Sequence, residues 1–144
     1  MEALNDLTLA VQNKQAITIA YNDFSRAFDS VSHDKLFVRL SENGIHGKLL
    51  SWLKSFFSNR THQTRVGVAL SDVASLLSGV VQGSGIGPVM FIVFIDDLAK
   101  VLERYNITAK LFADDVKVYL KIDSVDDVAR LQVALDLITD WSCM

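Results

Sequence analysis

Leu111-Phe112-Ala113-Asp114-Asp115-Val116-Lys117-Val118-Tyr119-Leu120 places two adjacent carboxylates between two apolar runs rich in β-branched and aromatic residues. Ile107 to Ala113 reads as one strand, and Val116 to Ile122, alternating apolar and polar, as another. Two strands meeting at a dipeptide predict a hairpin with Asp114 and Asp115 at its tip. The acidic pair has two readings. Asp is ordinary turn chemistry, because it bonds its own backbone. Hairpin turns nonetheless prefer Asp-Gly or Asn-Gly, and neighbouring like charges cost energy unless a cation is shared between them.

Working outward, Ala16-Ile17-Thr18-Ile19-Ala20-Tyr21-Asn22-Asp23 is a second strand that runs straight into an acid. Asp23 either caps the next segment, accepting backbone N–H bonds, or projects a carboxylate from the end of a central strand. From Asp23 to Asp29 the strand periodicity stops, and a short helical turn is expected. Residues 2–13, with Leu4, Leu7 and Val11 at helical spacing, predict an amphipathic opening helix. His33 to Asn43 forms a further helix on Leu36, Phe37 and Leu40, ended by Gly44. Another runs from Lys48 to Phe57 on Leu49, Leu50, Trp52, Leu53, Phe56 and Phe57. Thr64 to Ala69 looks like a strand, with a turn at Ser71-Asp72. Lys54, Arg60 and Arg65 are either phosphate contacts or a solvated face.

Ser78-Gly79-Val80-Val81-Gln82-Gly83-Ser84-Gly85-Ile86-Gly87-Pro88 is the second informative stretch. Glycines at three alternate positions allow close approach of a ligand to the backbone, and Pro88 suits the first turn of a helix. That helix is expected over Val89–Arg104, burying Phe91, Ile92, Ile95, Leu98 and Leu102. Asp96 and Asp97 within it face water, cap a neighbour or bind metal. Ser124 is expected to cap a last helix, Val125 to Trp141, with Val128, Leu131, Leu135 and Ile138 on one side. No repeat, low-complexity tract or linker interrupts the chain, which reads as one compact α+β unit.

The 144 residues are 50% hydrophobic and 22% charged, with a net charge of −3, and a mean hydropathy of +0.26. That is apolar for a small domain, as expected of a piece whose surface meets another domain. The acidic balance argues against a free-standing nucleic-acid binder, which would carry a basic excess. The single cysteine, Cys143, excludes an internal disulfide and a cysteine-based zinc cluster. His33, His46 and His62 share no metal-ligand spacing. Val89 to Ile95 is too short to cross a bilayer, and Glu2 and Asp6 do not fit a secretory signal. An intracellular chain with no membrane partner is expected, in nucleus or cytoplasm.

Asp23, Asp114 and Asp115 thus sit at strand ends among apolar residues, and only tertiary folding could unite them. Asp23-Phe24-Ser25-Arg26-Ala27-Phe28-Asp29-Ser30-Val31-Ser32-His33 resembles motif A of reverse transcriptases. Val81 to Pro88 resembles motif B, and Phe112-Ala113-Asp114-Asp115 resembles motif C in the form typical of non-LTR (LINE-type) retrotransposons. The resemblance runs from the opening helix through Trp141. It implies an α+β polymerase palm, an antiparallel sheet backed by helices, with part of the fingers. It further implies RNA-directed DNA polymerase chemistry, in which a primer 3′-hydroxyl attacks the α-phosphate of a dNTP under an RNA template. Asp23 and Asp114 would be the main ligands of two Mg²⁺ ions, with Asp115 the third acid and Mn²⁺ a substitute ion. Phe28 would be the steric gate under the incoming sugar. Gln82 and Gly83 would contact nucleotide and template, with Ser84 beside them.

Asn22 stands where the family usually has an aliphatic residue, and Val81 where proline usually precedes Gln82. The basic fingers segments would lie before Met1, and the later palm motifs and thumb beyond Met144, so residues 1–144 are expected to be a partial domain, weakly active or inactive alone. A dinucleotide-binding module would need G-x-G-x-x-G in a βαβ unit, which Gly83, Gly85 and Gly87 do not supply. A phosphoacceptor signalling domain would carry its acidic pair early in the chain. The remaining alternative is a truncated, non-catalytic retroelement remnant acting at most as a binding or scaffold module.

Overall fold

The computed structural model describes residues 2–143, with side chains from Leu7 to Ser142. Leu4, expected on the apolar stripe of the first helix, and the Cys143 side chain lie outside that range. The elements are α1 (Glu2–Gln12), β1 (Ala16–Asp23), α2 (His33–Glu42), α3 (Gly47–Phe57), β2 (Thr61–His62), β3 (Arg65–Val66), β4 (Ala69–Leu70), β5 (Ala74–Ser75), α4 (Gly87–Arg104), β6 (Thr108–Phe112), β7 (Asp115–Ile122) and α5 (Val125–Cys143). The mixture of helix and antiparallel sheet is the expected α+β class. The chain forms two compact units, one of residues up to Ser25 and from Ile95 on, the other Arg26–Phe94.

The first unit is built on a three-stranded antiparallel sheet in the order β1-β7-β6. β7 sits in the centre because its alternation is the strongest: Val116 and Val118 point to one face and are fully buried. Asn22 and Ala20 of β1 and Leu111 and Ala109 of β6 share that face by register. α5 packs against β7, burying Leu131, Ala134 and Ile138. Val128, expected on the same stripe, is 53% exposed. The buried face of α5 advances by three and then four residues from Leu131, and Val128 falls in the first turn, before that face begins. Among the described side chains of α1, Ala10 is buried and Val11 faces out.

Asn22 settles the question its polarity raised. Its side-chain amide donates to the carbonyl of its own register partner, Val116, at 3.5 Å, so this half-buried group has an acceptor.

In the second unit α2 packs on α3, around Leu36, Leu40, Leu53 and Phe57. Ser32 caps α2 by accepting from the Lys35 amide, and the Gly44 and Ile45 amides close its C-terminus on Ser41 and Leu40. His33, Phe37 and Phe57 form an aromatic cluster with centroids 5.1–6.3 Å apart. The expected strand at 64–69 is instead a hairpin, with Arg65 opposite Leu70 and Val66 opposite Ala69. Gly67, at φ +62, turns the chain back there. α4 begins one residue before Pro88; Met90 and Phe91 are buried at its start, whereas Ile92, expected inside, is 61% exposed. Three residues separate the buried Ile95 from Ile92 and four from Phe91, and the helix turns Phe91 rather than Ile92 inward.

Candidate active site

Asp23 ends β1, Asp115 begins β7, and the antiparallel register sets them directly opposite each other. Cα atoms of such a pair lie about 4.5–5.5 Å apart, and both side chains leave the same face of the sheet. Phe112 is the partner of Asp115 on its other side. Two acids far apart in the sequence therefore meet at one end of the open face. Their neighbours Asn22 and Val116 point into the core, and this alternation forces both carboxylates outward.

The hairpin tip is one residue earlier than the apolar runs implied. Phe112 and Asp115 are the last ladder pair, so Ala113 and Asp114 form the two-residue loop. The reason is the ladder itself: Asp115 is held between Phe112 and Asp23 and belongs to the strand. Ala113 takes φ +52, the sign that primed hairpin turns demand and that costs a residue with a Cβ about 1–2 kcal/mol. Strain of this kind collects at functional sites.

The capping role considered for Asp23 is not realised. Among the described residues no side chain of Asp23, Asp114 or Asp115 has a hydrogen-bond or ion-pair partner. Nor, among the described residues, do any three His, Cys, Asp or Glu side chains group closely enough to hold a metal ion as they stand. As donors the three fit a hard divalent cation, because all are carboxylate oxygens. Two of them are brought face to face, and Asp114 is adjacent in the turn. By contrast, Asp96 is paired with Lys100 at 2.7 Å and Asp97 accepts from the Trp141 indole at 3.3 Å. Both helix acids thus have structural partners.

The other expected site residues belong to the second unit, where Phe28, Gln82, Gly83 and Ser84 all line one open cavity of about 530 Å³. Phe28 is stacked on Phe91, with centroids 4.3 Å apart at 21°, and its carbonyl accepts from the Val80 amide at 2.8 Å. The ring is thereby held on one face by Phe91, and its backbone by Val80. Gln82 donates to Asp29 Oδ1 at 2.7 Å. Gly83, at φ +76, would have nothing within 4 Å of an added Cβ, so its exposed side is open to a ligand. The Ser84 hydroxyl is committed locally: it donates to the Val81 carbonyl at 2.5 Å and accepts from the Gly87 amide at 3.1 Å, capping α4.

Two residues that hold this arrangement carry no sequence signal that singles them out. Asp29 accepts from Gln82 through its side chain and from the Ser78 hydroxyl through its carbonyl at 2.9 Å. Gly79 lies so close that a Cβ would sit 2.9 Å from the Asp29 carbonyl oxygen. Its amide donates to Val31 at 2.8 Å, and His33 Nε2 contacts its carbonyl at 2.8 Å. Gly79 stands outside the run of alternate glycines, and spacing alone could not show which glycine faces another segment's backbone.

The chain belongs to the reverse transcriptase (RNA-dependent DNA polymerase) family, whose model matches residues 1–142. It is 29% identical over 139 residues to the RNA-directed DNA polymerase from mobile element jockey of Drosophila melanogaster, covering 92% of this chain. The protein of the same name from Drosophila funebris is 26% identical over 139 residues, again with 92% of this chain covered. A probable RNA-directed DNA polymerase from transposon BS of Drosophila melanogaster is 27% identical over 138 residues and 92% of this chain. The chain spans about 15% of the length of each of these relatives. The family in general depends on divalent metal, and carboxylate oxygens are the donors that hard divalent ions take.

Among the described residues no helix is long and apolar enough to cross a membrane.

Proposed function

We propose that this chain carries the catalytic centre of an RNA-directed DNA polymerase of the non-LTR retrotransposon type, extending a DNA primer on an RNA template. The observation that carries the reading is the register pairing of Asp23 with Asp115, with Asp114 next to it in the turn. No turn or core function needs two carboxylates opposite each other at a strand end, where they repel.

In the reaction the primer 3′-oxygen forms a bond to the α-phosphorus of the dNTP, the bond from that phosphorus to the bridging oxygen breaks, and pyrophosphate leaves. The 3′-hydroxyl proton passes to solvent or to a carboxylate. Asp23, Asp114 and Asp115 would hold Mg²⁺, or Mn²⁺ in its place. The bound metal supplies neutralisation of the phosphate charge and a more acidic 3′-hydroxyl. Phe28, immobilised against Phe91, offers a flat apolar wall where the sugar of the incoming nucleotide would rest. Gln82, oriented by Asp29, and Gly83 present polar and open backbone surface to nucleotide and template. Base pairing rather than side-chain readout selects the nucleotide.

The test is titration of the chain with a dNTP by calorimetry, with and without Mg²⁺. Binding that needs the metal and disappears in Asp114→Ala supports the reading; binding indifferent to both overturns it.

A further inference from the structure

The face of the sheet opposite Val116 and Val118 is ordered in rows by register, exposed at its acidic end and closed over at the buried Tyr119. Asp23, Asp115 and Phe112 form the first row; Tyr21, Lys117 and Lys110 the second; Ile19, Tyr119 and Thr108 the third. The second row breaks a rule of sheet pairing, since Lys110 and Lys117 are directly opposed and like charges in that position destabilise. Lys117 Nζ sits 5.2 Å from the Tyr21 ring centroid and 5.9 Å from that of Tyr119. Among the described residues it has no carboxylate partner. Aromatic surface stands open on either side, with Tyr21 74% and Phe112 82% exposed. Paired cations interleaved with exposed rings are the chemistry of a surface that follows a nucleic-acid backbone. A like-charge pair kept in a sheet despite its repulsion is the kind of broken local rule that marks a functional position.

We infer that Lys117, assisted by Lys110, is a positioning residue for the primer strand, binding a phosphodiester next to its reacting end. This rests on the polymerase reading above and deepens it. Two residues along a strand advance about 6.6 Å, so the lysine row lies one short step behind the acidic row. A strand whose 3′-end lies at Asp23 and Asp115 runs its next phosphates over that row. The acids would repel a phosphate unless it is metal-bound, whereas the lysines attract one directly. The two rows thus divide the strand into a reacting end and a held end.

The experiment measures binding of the 144-residue chain to a fluorescein-labelled DNA primer on an RNA template, by anisotropy over a range of salt concentrations. Loss of one phosphate contact lowers the slope of log K against log salt by about 0.9. Lys117→Gln is expected to produce that change and Lys117→Arg to restore the slope. A primer with an uncharged methylphosphonate at its last linkage should lower the slope for the parent chain and leave Lys117→Gln unaffected further. Lys110→Gln is the second variant, expected to lower the slope in the same direction should Lys117→Gln not fold. An unchanged slope in the lysine variants, independent losses from lysine and methylphosphonate, or no binding of the hybrid by the parent chain overturns the inference. Metal-dependent nucleotide binding and its loss in Asp114→Ala score the polymerase reading separately, so each can fail without the other.

Discussion

Asp23 and Asp115 occupy opposite positions in the β1–β7 ladder, at the end of the strands and on the solvent side of the sheet. Like charges so placed repel, and the repulsion is present whenever no cation lies between them. Removing one charge should therefore raise stability while lowering the response to metal. Asp23→Asn is expected to gain about 0.2–1 kcal/mol in metal-free buffer. Thermal melts with and without Mg²⁺ check this: the parent chain should gain stability from the ion, and the variant should gain less or none.

Gly79 should tolerate no side chain. A Cβ would meet the Asp29 carbonyl oxygen at 2.9 Å, and φ is +89. Overpacking costs about 1–3 kcal/mol and left-handed backbone about 1–2 kcal/mol, so Gly79→Ala should lose roughly 2–5 kcal/mol in denaturant melts. Gly85→Ala is the control, with nothing within 4 Å of its Cβ and no left-handed φ, and should stay within about 0.5 kcal/mol.

Leu131 and Val128 separate the observed face of α5 from the one its apolar periodicity implied. Leu131 is buried and Val128 is half exposed. Leu131→Ala should cost about 2–5 kcal/mol, and Val128→Ala less than about 1 kcal/mol, by urea unfolding.

Asp127 accepts from the Ser124 hydroxyl and amide, both at 2.9 Å, and from the Asp123 amide at 3.1 Å. The Ser124 hydroxyl first, then the Asp123 amide, hold its carboxyl below the ordinary carboxylate value. Its folded pKa is thus depressed, so the stability it contributes is present above the unfolded value and lost as pH falls through the folded one. Acid unfolding curves should show this: Asp127→Asn is expected to flatten the pH dependence in that acidic range and to change little in slope near neutrality. The roles at this cap are also reversed from the expectation, because Ser124 donates its hydroxyl to Asp127 rather than capping the helix itself.

Much of the secondary structure could be read from periodicity. The β1 limits, Ala16 to Asp23, agree with the apolar run, and α2, α3 and α4 lie within a residue or two of their expected bounds. These elements have strong local signals: β-branched alternation, helical stripes, and Ser32 or Pro88 at their starts. Elements without such signals depart from expectation. The β3–β4 hairpin turns at Gly67 in place of a single strand, because a glycine can continue a strand or reverse it, and neighbours decide which. The tip of the β6–β7 hairpin is shifted by one residue for the same kind of reason, since Asp115 is drawn into the ladder by a partner strand far off in sequence.

By itself the sequence determined which residues are acidic, which are apolar, and the order in which three reverse transcriptase motifs occur along the chain. Those are properties of composition and local spacing, and no folding is needed to read them. Only the tertiary structure decided that Asp115 rather than Asp114 lies opposite Asp23, that Gly79 is the glycine pressed against Asp29, and that Lys117 shares a face with the acids. Each is a matter of register and close packing. A one-residue slip in an antiparallel ladder would send the side chains of the slipped strand to the other face, and the interactions that prevent that slip are made between residues the chain brings together only when it folds.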